Sequence, residues 1–280
     1  MKKIKMCYSI RDNIGDSINP LIVERIMGFK CEWADALSCQ TSSIGSGLSR
    51  YFFDFERRFK SRMGLSQSIK AMFINEPLQI WSAGFIRHSG KRETELRKNT
   101  NVASVRGELS KKRLEKALQQ ELNITTGDGG LLSAQLLKEK FPPKYRLGII
   151  PHIREIGESA YEKIRDAHKD NIIIDVRLKP DEFLKLLSQC EFVISSSLHG
   201  LIISDSFNIP NRQVTLTDRL VGDGFKFEDY YSSFGLLPNP LDLNKTSTIN
   251  ENMIIENYHI TKEMVDQKKA EIRESFFRYI

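Results

Sequence analysis

Long apolar stretches are missing from this 280-residue chain. Runs such as LGII and LIIS fall far short of the roughly 20 residues that a membrane-spanning helix needs. The opening MKKIKMCYSI is basic but lacks the apolar run of a signal peptide. The expectation is a protein made and kept in the cytoplasm. Cysteine is scarce: Cys7, Cys31, Cys39 and Cys190 stand far apart, with no C-x-x-C pair and no histidine at zinc-finger spacing. They read as reduced, mostly buried thiols, and no metal site stands out. Basic residues are spread along the chain without an RNP motif, a KH-type loop or a zinc finger, which argues against nucleic acid as a partner. Low-complexity tracts and internal repeats are absent as well.

What is present is ordinary for a globular protein, with 40% hydrophobic and 28% charged residues. The net charge of +6 and pI near 9.0 favour an anionic partner such as a phosphorylated substrate or an anionic lipid surface.

Short β-type runs alternate with helical stretches, the pattern of parallel sheets with crossover helices. The strand IKMCYSI leads through RDNIGDSINP to a helical run LIVERIMG. Strands are expected at residues 79–83, 101–105 and 124–127, with helices at 109–122 and from Leu131 to Leu137. Phe141-Pro142-Pro143 breaks both element types and marks a linker. After it come the strand YRLGIIPH, helix 159–169, strand NIIIDV, helix 180–188, strand EFVISS and helix LHGLIISDSF. The expected architecture is α/β: Rossmann-like domains over residues 1–143 and 144–258, with a helix at 259–280 packing back on the body. The active site belongs in the cleft between them, at the carboxyl ends of the strands.

Several residues there can carry chemistry. In Ser195-Ser196-Ser197-Leu198-His199-Gly200, a strand ends and a helix begins, so Ser196 or Ser197 can cap the helix. The free N–H groups beyond can then meet an anion, with Gly200 allowing close approach. His199 is either a catalytic group facing the cleft or a structural histidine. His152 follows the strand of GIIPHIRE, with Arg154 two residues on; it is either a second acid–base group or a turn residue bonding its own backbone. Asn13, Gly15 and Asp16 occupy the first β–α turn, where turn chemistry alone also explains them. Arg106, at a strand end beside Gly107, can grip phosphate or carboxylate bidentately or serve a surface salt bridge. Asp128 in TGDGG reads as a helix cap.

Taken in order, these segments resemble the polysaccharide pyruvyl transferases, nearest the branch of succinoglycan-type ketal pyruvyltransferases. The resemblance runs through Asn13–Asp16, Ile44–Ser46, Trp81–Phe85, Val105–Gly107, Gly127–Gly129, Gly148–His152, Ile194–Gly200 and Phe225–Tyr230. It implies a GT-B-like fold and transfer of pyruvate from phosphoenolpyruvate to two hydroxyls of one sugar, on a cell-surface polysaccharide or its lipid-linked precursor. It also implies that His199 matches the family's catalytic histidine and Arg106 a donor-binding arginine, with no cofactor beyond the donor substrate. Where many members have arginine two residues before that histidine, this chain has Ser197. Another cation, with Arg154 and Lys226 as candidates, must replace it, or the donor differs. A GT-B glycosyltransferase using a nucleotide sugar is the second enzyme reading, and a non-catalytic glycan-binding protein the third. Lipid-linked acceptors would place the protein at the inner face of the membrane. There Phe52, Phe55, Phe59 and Met63, interleaved with Arg57, Arg58, Lys60 and Arg62, could form an interfacial helix or simply core and surface.

Overall fold

The computed structural model describes residues 1–42, 44–53, 76–88, 95–220, 222–246 and 248–280. In the first half the strands are β1 (Lys2–Cys7), β2 (Phe29–Trp33), β3 (Thr41–Ser42), β4 (Phe52–Phe53), β5 (Leu78–Ile80), β6 (Glu95–Leu96), β7 (Thr100–Val102), β8 (Ser104–Val105) and β9 (Thr125–Thr126). Five of them form a parallel sheet in the order β2-β1-β3-β5-β7. The second half contributes β10 (Tyr145–Ile150), β11 (Asn171–Ile173), β12 (Cys190–Ser195), β13 (Asn211–Thr215) and β14 (Leu241–Asp242). These are again parallel, in the order β11-β10-β12-β13-β14. Numbered within its own sheet, each half reads 2-1-3-4-5, a doubly wound order whose switch point lies between strands 1 and 3. Two Rossmann-like halves therefore face each other in a GT-B-like arrangement.

The helices are α1 (Ile14–Arg25), α2 (Glu108–Leu118), α3 (Ser159–Asp166), α4 (Pro180–Ser188), α5 (Leu198–Ser206), α6 (Phe225–Ser232), α7 (Glu251–Ile255) and α8 (Lys262–Phe276), with a 3-10 helix at Gly129–Leu136. Helix α1 starts earlier than its apolar pattern suggests, because Asn13 caps it by accepting from Gly15 N at 3.0 Å. It also runs through Pro20, which leaves the Asp16 carbonyl without its usual donor. Asn19 supplies one: its Nδ2 donates to Gly15 O at 2.8 Å and Asp16 O at 3.3 Å. Its Oδ1 accepts from Ile44 N at 2.8 Å, tying the helix to the loop after β3. One buried residue thus repairs the helix and fixes a second loop.

The halves share a core. Ile14, Ile18 and Ile22 of α1 pack with Leu131 and Leu132 of the 3-10 helix and with Leu198, Leu201 and Ile202 of α5. Ile14 N also donates across the junction to Val176 O at 2.7 Å. Apolar burial at the floor of the cleft sets the spacing of its walls. The last helix, α8, returns to the first half. There Trp81 Nε1 donates to Ile272 O at 3.0 Å and Gln79 Nε2 to Phe276 O at 2.8 Å.

Most of the suggested interfacial segment (Phe55, Arg57, Arg58, Phe59, Lys60, Arg62 and Met63) lies outside the described residues. Phe52 is described, and it is a strand residue packed on Phe85 rather than the start of a helix. Among the described residues no helix is long and apolar enough to cross a membrane.

Candidate active site

A cavity of about 290 Å³ opens where the two switch points meet. The loop after β1 brings Ser9, Arg11, Asn13, Gly15 and Asp16, and the loop after β3 brings Ile44 to Gly47 and then Arg50. From the other half, the loop after β10 supplies His152 and Arg154, the start of α5 supplies Ser197 and His199, and α6 supplies Lys226. Nearly all the expected site residues thus converge from segments far apart in sequence.

His199 stands in the first turn of α5 with glycines around its ring. A Cβ on Gly15 would lie 2.2 Å from its Nδ1, and one on Gly45 would lie 3.5 Å from its Cε1. Gly45 also needs its glycine for φ of +97°. The imidazole Nε2 is sealed from solvent and has no hydrogen-bond partner among the described residues. Burial first, then the nearby positive charges of Arg106 and Lys226, push the His199 pKa down to about 3. The free protein therefore holds this histidine neutral.

The three serines before it divide the work. Ser195 Oγ donates to Ile150 O and accepts from Ser197 N at 2.9 Å, bracing the strand-to-helix turn. Ser196 Oγ accepts from His152 N at 2.8 Å and bonds the Tyr161 hydroxyl. Ser197 occupies the N-cap position without a side-chain cap bond, so neither suggested serine caps α5 through its hydroxyl.

His152 is held by its own loop: its Nδ1 accepts from Arg154 N at 3.2 Å. Burial, then Lys226 and Arg154 against the opposing charge of Glu155, push its pKa down to about 4. Lys226 is half-buried and makes no hydrogen bond or ion pair among the described residues. Burial lowers its pKa to about 8, with Arg106 and Arg154 adding to the effect and Glu155 opposing it. Asp16 is pushed up by burial against the pull of Arg50 and Arg11.

Two expectations change. Arg106 is not on the cavity wall but wholly buried behind it, and its guanidinium is already spent. Nε donates to Asp229 Oδ2 at 2.9 Å, Nη1 to Ser46 Oγ at 2.8 Å and Nη2 to Phe85 O. A buried guanidinium with all three nitrogens engaged has no fork to offer a ligand, so Arg106 acts through Ser46 and through its field. Gly200 does not face a ligand either. A Cβ there would meet Ser195 Oγ at 2.3 Å and Ile150 at 3.0 Å, so the glycine serves helix-on-sheet packing.

The structure adds Arg11 and Arg50, which sequence reasoning passed over. Both flank glycine turns already marked as site loops, NIGD and IGSG. With Arg154 and Lys226 they set four cations around a wall whose lining carboxylate is Asp16. Such a wall attracts a compact, multiply charged anion.

The chain is similar to several known proteins. An uncharacterised protein, L143, of Acanthamoeba polyphaga mimivirus is 27% identical over 242 residues, covering 84% of this chain and 76% of that protein. The succinoglycan biosynthesis protein ExoV of Rhizobium meliloti is 27% identical over 144 residues, 51% of this chain and 43% of ExoV. A solved structure of S. aureus MnaA with UDP aligns over 79% of this chain and 80% of that one, at 12% identity and a TM-score of 0.45. The family model for polysaccharide pyruvyl transferases matches residues 8–212, from the loop after β1 through all the cavity loops to the start of β13. The chain belongs to the polysaccharide pyruvyl transferase family and is a transferase acting on polysaccharide.

Proposed function

We propose that this protein moves pyruvate from phosphoenolpyruvate onto two hydroxyls of one sugar as a ketal, on a polysaccharide or its lipid-linked precursor. The observation that carries this reading is the set of four cations, Arg11, Arg50, Arg154 and Lys226, around a neutral histidine. Phosphoenolpyruvate brings about three negative charges near neutral pH. The cations lost with the family arginine at Ser197 are replaced by neighbours on other loops.

The chemistry then follows from charge. A bound trianion raises the pKa of His199, so the imidazole takes up a proton when the donor is present. His199 passes that proton to the enol carbon, which leaves C2 electrophilic. One sugar hydroxyl bonds to C2, the C2–O bond to phosphate breaks, and the second hydroxyl closes the ketal. Of the two hydroxyl protons released, one restores His199 and the other leaves with phosphate. His152 and Lys226 come from the same half as His199, and Lys226 offsets the departing phosphate.

A thermal-shift comparison of phosphoenolpyruvate with a panel of nucleotide sugars tests the donor. Ligand at 100 times its dissociation constant adds about 2.7 kcal/mol to stability. Stabilisation by phosphoenolpyruvate, with phosphate release once acceptor is added, is the expected result. Stabilisation by a nucleotide sugar alone would move the protein to glycosyl transfer.

A further inference from the structure

Among the described residues, the buried polar atoms His199 Nε2 and Asp128 Oδ2 have no partner. They belong to side chains that both approach Gly130. Asp128 precedes the 3-10 helix and caps it, its Oδ1 accepting from Gly130 N at 2.8 Å. A Cβ on Gly130 would lie 3.0 Å from that Oδ1 and 3.7 Å from His199 Cδ2, the atom bonded to Nε2. Gly130 therefore stands between the carboxylate and the Cδ2 edge of the imidazole, while Gly45 lies against the Cε1–Nε2 edge. The ring's other nitrogen, Nδ1, lies against Gly15 at the cavity wall.

Capping uses one carboxylate oxygen, and asparagine or serine would cap as well. A second, fully buried oxygen costs desolvation free energy that capping does not recover. Burial indeed pushes the Asp128 pKa up to about 6, with Asp229 adding to the rise and Arg106 and the Gly130 amide opposing it. At neutral pH the group is still mostly ionised, and across Gly130 from it stands the His199 ring, whose Nε2 can donate a proton.

We propose that Asp128 is the positioning residue of His199, holding the neutral imidazole with its proton on Nε2 so that Nδ1 meets the reacting atoms. The link runs through Oδ2, by one bridging water. When the donor's charge makes His199 take up its second proton on Nδ1, Asp128 balances the imidazolium from behind. The charged groups that share this pocket are Arg106 and Lys226 on the histidine side and Arg106 and Asp229 on the aspartate side. This role rests on the acid function given to His199 above.

Asp128→Asn tests it, because the amide keeps the cap through Oδ1 and turns an N–H donor toward His199 Nε2. The imidazole must then carry its proton on Nδ1, the wrong tautomer for accepting another from that side. Nitrogen-15 spectra of histidine-labelled protein read the tautomer near pH 7, with His199 assigned by the signal missing from His199→Ala. The expected result is the Nε2–H tautomer in the wild type and the Nδ1–H tautomer in Asp128→Asn. With it, kcat falls at least about tenfold while KM for phosphoenolpyruvate stays within about threefold. Asp128→Ser, which caps but lacks the second oxygen, gives the same kcat loss and covers the case in which asparagine folds poorly. An unchanged tautomer in Asp128→Asn overturns the proposal, whatever the turnover. A flipped tautomer with full turnover would uphold the positioning and remove His199 from the chemistry, separating the two failures.

Discussion

Arg106 Nη2 and Asp229 Oδ2 lie 2.9 Å apart with neither side chain open to solvent. The same carboxylate accepts from Ser110 N at 2.7 Å and Ser110 Oγ at 2.6 Å. The pair joins the end of β8 to α6, the helix that carries Lys226 to the cavity. Removing one partner of such a pair leaves a buried charge and costs about 3–5 kcal/mol. Arg106→Ala and Asp229→Ala should each lower the melting temperature strongly. Arg106→Lys should weaken stability more than donor affinity. Chemical denaturation and donor titration on the same preparations check this, and a donor-specific loss would return Arg106 to the binding wall.

His199→Ala should leave a folded protein that binds phosphoenolpyruvate and hardly turns it over. General acid–base groups contribute about 10²–10⁴-fold. A variant keeping more than half of wild-type turnover would exclude His199 from proton transfer.

Gly15→Ala places a methyl group 2.2 Å from His199 Nδ1. The imidazole must rotate away, so turnover should drop by an order of magnitude or more while the far-ultraviolet spectrum is unchanged. Full activity would mean that the ring does not need its observed orientation.

Lys226 sets an alkaline limit. With its pKa lowered to about 8 it is charged below that value and neutral above it. Donor capture, read as kcat/KM in the free enzyme, should fall as pH rises through 8. Lys226→Arg should move the limb upward, since arginine keeps its charge. A limb that stays in place points to another group.

His199 and His152 also set an acid limit on stability. Both are held neutral in the folded protein, at about 3 and 4, against an ordinary value of 6.5. Between these limits the unfolded chain binds more protons than the folded one, so stability rises with pH through the window. Asp128 and Asp205, raised to about 6, bind protons earlier when folded and act in the opposite sense. His199→Gln should match wild type above pH 6.5 and melt higher than wild type near pH 5. Parallel melting curves across that range would contradict the burial assigned to the ring.

Much of this was readable in the sequence, for physical reasons. Helix α4 announces itself by Pro180 at its first position, acidic residues in its first turn and a buried stripe of Phe183, Leu184 and Leu187. The strand-turn-helix around His199 and the cap at Asp128 were visible because turn chemistry is local. Strands β3 and β13 were not: two residues have no period, and Asn211–Thr215 begins with polar side chains that are buried only by tertiary packing. The start of α1 was hidden behind Pro20, whose repair by Asn19 depends on side-chain geometry. Arg106 illustrates the opposite error. Its strand-end position suggested a ligand, and only the burial of Asp229, 123 residues later, shows where its charge goes. The two sheets share one strand order without any visible repeat, because topology constrains apolar spacing far more than it constrains residue identity.

Helix α8 carries a consequence for the birth of the molecule on the ribosome. Ile272 and Phe276 help to bury Trp81 fully, and Phe29 on β2 stacks on the same Phe276. Strands made first thus wait for residues made 191 or more positions later before their outer face closes. While the second half is being synthesised, an aromatic surface stays open on the first. Nascent chains stalled before Lys262 should therefore engage chaperones or clump, and release of the last helical turns should be the event that makes the first sheet protease-resistant.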